Sequence, residues 1–175
     1  MKRVLLFLLI VLIAIILVVV TVGALVPKQH TSTRAARFHQ SPNNVWTAIT
    51  DFDKFPTWRK EVARVESLPD VNGKPSWREY DRHGSSIPYQ VMVMLPPKVL
   101  VVRIADLSLP FGGAWTYEIS PAPDGTSLLR ISEDGEIYNP VFRFVARFIL
   151  GYSQTQERYL RALGAKFGES VAIEK

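Results

Sequence analysis

The hydrophobic pattern divides the chain into two unequal parts. From Val4 to Val26, 23 residues carry no charge, and only Thr21 and Gly23 interrupt the run of apolar side chains. A helix apolar on every side has no face to offer to water. At 1.5 Å per residue the run is about 34 Å long, enough to span a hydrocarbon layer of about 30 Å with some tilt. Residues 1–27 therefore read as an uncleaved transmembrane anchor. Lys2-Arg3 and Val22-Gly23-Ala24 also fit a cleaved signal peptide. The apolar region of such peptides is shorter, however, about 7–15 residues.

Behind this block the pattern becomes short and alternating. Pro27–Thr33 is polar and reads as a connector, with residues 28–33 as the linker proper. Seven residues reach about 25 Å at most, so a domain over residues 34–170 would stay near the membrane. Arg34–His39 reads as a strand. Ser41-Pro42 supplies an N-cap and a first-turn proline, and Val45, Trp46 and Ile49 follow at helical spacing up to about Thr50. Asp51–Trp58 reads as a second short helix limited by Pro56, with Phe52, Phe55 and Trp58 packing a corner.

Strand-like segments come next, at Val62–Leu68, Ser76–Asp81, Tyr89–Leu95, Val99–Ala105, Gly113–Ser120 and Leu128–Ile137. Asn72-Gly73, His83-Gly84 and Asp124-Gly125 mark turns between them. After Asn139-Pro140, Val141, Val145, Phe148, Tyr152, Tyr159, Leu163 and Phe167 recur at three- and four-residue steps. That spacing predicts one amphipathic helix over Pro140–Phe167, about 40 Å long. A run of strands closed by a terminal helix is an α+β pattern, an antiparallel sheet folded onto that helix.

Charge changes the picture little. The formal net charge is +5, and removing Lys2 and Arg3 leaves +3 for the remainder. This mild excess suits anionic headgroups. It forms no basic stripe, which argues against a nucleic-acid partner. Lys2 and Arg3 before the apolar run are nearly balanced by Lys28, Arg34 and Arg37 after it. The short basic head still favours a cytoplasmic N-terminus, which places the domain outside the cytoplasmic membrane. The absence of cysteine removes disulfides, thiolate metal sites and acylation.

Candidate chemistry is sparse. His30, His39 and His83 are not spaced as a metal pair, Ser85-Ser86 has no nucleophile-elbow pattern, and Gly112-Gly113 lacks the helix that would bind an anion. No cofactor site is expected, and nothing specifies a protein partner. Glu79, Arg103, Arg130, Glu133 and Glu136 fall on strands, where most should face water. An inward carboxylate would be desolvated and raised in pKa, and Glu133 is the candidate. Alternation puts Trp115 and Tyr117 on one face of their strand.

Three stretches carry a family resemblance. They are SPNNVWTAITDFDKFPTW, GGAWTYEISPAPDGTSLLRISEDGEI and YNPVFRFVARFILGY. Together with the order of elements they resemble the START-like (SRPBCC) superfamily of helix-grip proteins, including its polyketide cyclase/dehydrase-like group. The resemblance covers residues 34 to about 168. It implies a sheet curled round the long helix with an apolar cavity between them. Trp77, Tyr89, Trp115, Tyr117, Phe148, Tyr152 and Tyr159 are then the expected cavity lining. The expected function is binding of a hydrophobic small molecule such as a lipid, a quinone or a polyketide-like compound, close to a membrane. Two alternatives stand beside it: a cyclase/dehydratase-type enzyme using Glu133 with Tyr117, and a membrane scaffold whose cavity is filled by its own side chains.

Overall fold

Three turns with a positive-φ glycine, at Gly73, Gly84 and Gly125, and two bulges shape the sheet. The computed structural model describes residues Met1–Lys175. After an N-terminal helix α1 (Lys2–Leu25), strand β1 (Gln29–Phe38) leads into helix α2 (Pro42–Thr50) and a 3-10 turn (Phe52–Thr57). Six strands follow as an antiparallel meander: β2 (Arg64–Val71), β3 (Lys74–Tyr80), β4 (Ser86–Leu95), β5 (Val99–Ile104), β6 (Phe111–Pro121) and β7 (Ser127–Ile137). β1 returns to pair along the whole of β7, from Gln29 opposite Glu136 to Phe38 opposite Ser127. A two-residue β8 (Ile173–Glu174) covers the outer edge of β1, giving the order β2-β3-β4-β5-β6-β7-β1-β8. Asn72 and Gly73 both take positive φ, 54° and 69°, which a tight β2–β3 hairpin requires. Register shifts at Leu68/Val71 and Val91/Val93 bend β2 and β4.

The concave face holds the core. Ser41 caps α2 by accepting from the Asn44 amide at 3.3 Å, and Pro42 occupies the first turn. The buried face of α2 is Val45, Ala48 and Ile49, while Trp46 sits half-buried at its flank. Phe55 and Trp58 are buried at the corner, and Phe52 stacks on Trp77 with centroids 3.8 Å apart.

The expected single helix over Pro140–Phe167 is in fact two. Helix α3 (Pro140–Val145) continues as a π-helical turn (Ala146–Leu150), the helix breaks at Gly151, and helix α4 runs over Gln154–Lys166. Gly151 takes φ 76°, a conformation that ends a right-handed helix and that glycine alone adopts freely. Only α4 lies in the grip of the sheet. Tyr159, Leu160 and Leu163 are fully buried there. The buried Gln156 side chain accepts from Ser32 Oγ at 2.9 Å and donates to the Ser32 and Ile131 carbonyls, so no amide group is left unpaired. Arg34 adds a 2.9 Å bond to Glu157 and a 2.7 Å bond to Ser153.

The connector is also shorter than its composition suggests. β1 begins at Gln29, five residues before Arg34, so the expected linker 28–33 is mostly strand. Gln29–Thr33 lacks an apolar alternation, and it is strand because Glu136–Ser132 of β7 pairs with it. α1 is long and apolar enough to cross a membrane, and Gly23 is its one buried residue.

Candidate ligand cavity

A cavity of about 520 Å³ lies between the concave face of the sheet, the corner after α2, and the α3–α4 region. Strand alternation aims its walls. Trp77 and Glu79 of β3, Tyr89 of β4, Leu100 and Val102 of β5, Trp115 and Tyr117 of β6 and Glu133 of β7 all line it. Tyr159 of α4 faces them and lies edge-on to Trp115 at 5.9 Å and beside Tyr117 at 5.6 Å.

The floor of the cavity is polar. Arg59 Nη1 donates to Glu79 Oε1 at 2.9 Å, and the Trp77 indole donates to the same oxygen at 3.1 Å. Arg59 Nε donates to Glu61 at 3.0 Å, and the guanidinium lies over the rings of Phe55 and Tyr159, 4.9 and 5.3 Å from their centroids. Burial by itself would lower the Arg59 pKa, but Glu79, the neighbouring tyrosines and Glu61 hold it above the ordinary range. Burial raises Tyr89, Tyr117 and Tyr159, so these phenols stay protonated. The Tyr159 hydroxyl and the Trp58 indole N–H are buried without a well-formed hydrogen bond.

Midway along the cavity, Trp115 of β6 stands opposite Glu133 of β7. Glu133 Oε1 is 3.7 Å from His30 Nε2, and the His30 ring stacks on Tyr152 at 4.0 Å. Burial pushes Glu133 above the usual carboxylate range, with Trp115 partly offsetting it, and burial pushes His30 below its usual range. Both groups are therefore biased to their neutral forms. Glu133 Oε2 is buried and unpartnered.

At the other end from the floor the lining is apolar: Phe111, Ile137, Phe142, Val145, Ala146 and Leu150. Phe111 pairs with Ile137 at the last step of the β6–β7 ladder, so this mouth lies at the end of the sheet from which α3 departs.

Of the residues expected to line a cavity, Trp77, Tyr89, Trp115, Tyr117, Tyr152 and Tyr159 do so. Phe148 does not. It is 57% exposed and rests against Phe144 at 5.0 Å, because the break at Gly151 takes the π-turn out of phase with α4. Glu133 lines the cavity, but its close partners are His30 and Trp115 rather than Tyr117. Sequence reasoning missed three polar residues. Glu79 was expected to face water and is buried. The signal was available, since Glu79 lies two residues from Trp77 on one strand and must share its face. His30 was hidden in the supposed linker, and Arg59 follows a turn with no periodicity to aim it.

A sheet wrapped on a C-terminal helix with a cavity between them is the START-like helix-grip fold. The sequence profile described as "Polyketide cyclase / dehydrase and lipid transport" matches residues 29–167, and the chain belongs to that family. Among solved structures, a START superfamily protein from Mycobacterium smegmatis superposes with a TM-score of 0.61 at 20% identity, over 78% of this chain and 96% of that one. The di-domain aromatase/cyclase StfQ of the steffimycin biosynthetic pathway gives 0.63 at 18% identity, over 78% of this chain and 50% of that one. Norcoclaurine synthase from Thalictrum flavum gives 0.63 at 11% identity, over 85% and 91%. At these identities the likeness is one of fold. No curated protein matches in sequence.

Proposed function

We propose that this is a membrane-tethered START-like domain that holds a hydrophobic small molecule, of lipid, quinone or polyketide-like character, between its sheet and α4. The observation that carries this reading is the cavity itself, about 520 Å³ and walled mainly by aromatic and aliphatic side chains, with the Arg59–Glu79 cluster at its floor and the Glu133–His30 pair along its wall. That volume and polarity are typical of small-molecule sites. Apolar burial at about 25 cal/mol per Å² would drive binding, less the costs of ordering. The unpaired Tyr159 hydroxyl offers a hydrogen bond to a polar group on the ligand. α1 serves as the anchor, and its basic head favours a domain on the extracytoplasmic side.

The test is native mass spectrometry of the full chain released gently from its own membrane, followed by solvent extraction. A retained apolar compound supports the reading. Repeated recovery of an empty protein favours a scaffold.

One observation favours a second reading. Glu133, biased toward the protonated form, and His30, biased toward the neutral base, face each other at 3.7 Å inside the cavity. A carboxyl group beside an imidazole can donate and accept protons on one substrate, as a cyclase or dehydratase requires. The family description and the aromatase/cyclase neighbour are consistent with such chemistry. If a substrate is turned over, Glu133→Gln should abolish turnover while leaving its binding intact. Unchanged turnover removes Glu133 from any acid–base role.

A further inference from the structure

We propose that the mouth of the cavity opens into the lipid leaflet rather than into water, with α3 and the π-turn lying in the bilayer interface as its rim. This inference rests on α1 being a membrane anchor.

Four observations converge on it. The first is a rigid junction. The Arg143 guanidinium, buried on α3, donates to the Val26 carbonyl at 2.7 Å and to the Ala24 carbonyl at 3.4 Å. These are carbonyls at the C-terminal end of α1, where a helix has no partners of its own. Gly23 touches the start of α3 so closely that a Cβ there would collide with the Pro140 carbonyl oxygen. The end of α1 and the start of α3 are therefore held together.

The second is an apolar surface. Phe142, Phe148, Ile149 and Leu150 are all at least half exposed, and they continue the bare apolar surface of α1. Water gives such a patch no partner, whereas the lipid already surrounding α1 does. The third is that the same segment lines the cavity. Phe142 and Leu150 are both exposed outside and part of the lining, so only this segment separates the cavity from whatever lies against α3. The fourth is direction. Three residues separate the end of α1 from the start of β1, with Gln29 opposite Glu136, so the end of the sheet carrying the mouth is the end next to the anchor. Exposed Lys28 and Arg147 flank the apolar patch, where long basic chains reach headgroup phosphates.

A ligand using this mouth would be a leaflet-resident, lipid-soluble compound that exchanges without crossing water. Burial of the mouth in lipid also gives the exposed aromatic and aliphatic residues of this segment an apolar partner.

The absence of cysteine makes the test direct. Single cysteines would be introduced into the full chain as Leu12→Cys in α1, Leu150→Cys at the mouth and Asp124→Cys at the β6–β7 turn, at the opposite end of that hairpin from the mouth. Each would carry an NBD label, with the protein in phosphatidylethanolamine–phosphatidylglycerol vesicles. The proposal expects the labels at positions 12 and 150 to be blue-shifted and quenched by doxyl-labelled lipid. The label at 124 should be quenched by aqueous iodide. Iodide quenching at 150 equal to that at 124, with 12 still in lipid, overturns the proposal and leaves the anchor standing. Iodide quenching at all three positions removes the anchor and the proposal together.

Discussion

At the scale of single residues the most consequential group is the Arg59–Glu79 pair. Two opposite charges share a buried floor, and each is the other's principal compensation. Removing one partner strands the other, which typically costs 3–5 kcal/mol, whereas replacing both with apolar groups costs far less. Glu79→Gln should therefore lower the stability of the protein by about 3 kcal/mol in urea denaturation. The double substitution Arg59→Met, Glu79→Leu should recover most of that loss. Equal losses for the single and double variants would mean that the pair is held for its packing rather than for its charges. The second residue-scale expectation concerns Glu133 and His30. Because the Glu133 pKa is raised on folding, the native state binds more protons than the unfolded chain, and stability falls as pH rises above the ordinary glutamate value of 4.5. Because the His30 pKa is lowered, the native state binds fewer protons, and stability falls as pH drops below 6.5. The Glu133 slope begins at 4.5 and runs upward, the His30 slope begins at 6.5 and runs downward, and the two have opposite signs. Glu133→Gln should remove the fall in stability just above pH 4.5, and His30→Gln should remove the rise in stability just below pH 6.5. Thermal melts from pH 4 to 7 read both signs.

At the scale of elements, the boundary between α3 and α4 rests on one backbone conformation. A Cβ at Gly151 would meet nothing within 4 Å, so Gly151→Ala tests the cost of positive φ without a steric complication. It should destabilise the protein by about 1–3 kcal/mol in chemical denaturation. No loss at all would show that the break is easily remade. Here the sequence was legible in part. Ser41-Pro42, Asn72-Gly73 and Asp124-Gly125 were read correctly because cap and turn chemistry is local, and the strands of the meander followed from alternation. The break in the last helix was not read, because Val141, Val145 and Phe148 continue the apolar spacing of α4 across Gly151. Periodicity reports that a face is apolar, not what covers it. In α4 that face meets the sheet, whereas in α3 the buried contacts go to α1 through Pro140, Arg143 and Phe144. The start of β1 was missed for the opposite reason, since its pairing partner supplies what its own residues do not signal.

At the scale of the whole molecule, the cavity lining was largely legible because strand alternation and one helical stripe converge on the same space. The charges at its floor were not, since burial of an ion pair depends on both partners arriving there. What separates a ligand-binding domain from a self-filled scaffold is whether that space is under-filled, and a substitution can ask this directly. Val102 is buried on β5 with its side chain against the cavity. Val102→Phe adds a ring at that wall. In a close-packed core the added volume would cost about 1–3 kcal/mol. Into a space of about 520 Å³ it should instead be neutral or stabilising, by about 0.5–2 kcal/mol, as cavity-filling changes are. The same substitution should displace any co-purified compound from the native mass spectrum. A stability gain together with loss of the retained compound fits only a vacant, ligand-accepting cavity. A destabilised variant that never carried a ligand would place the protein among scaffolds, because the volume would then already have been taken up by its own side chains.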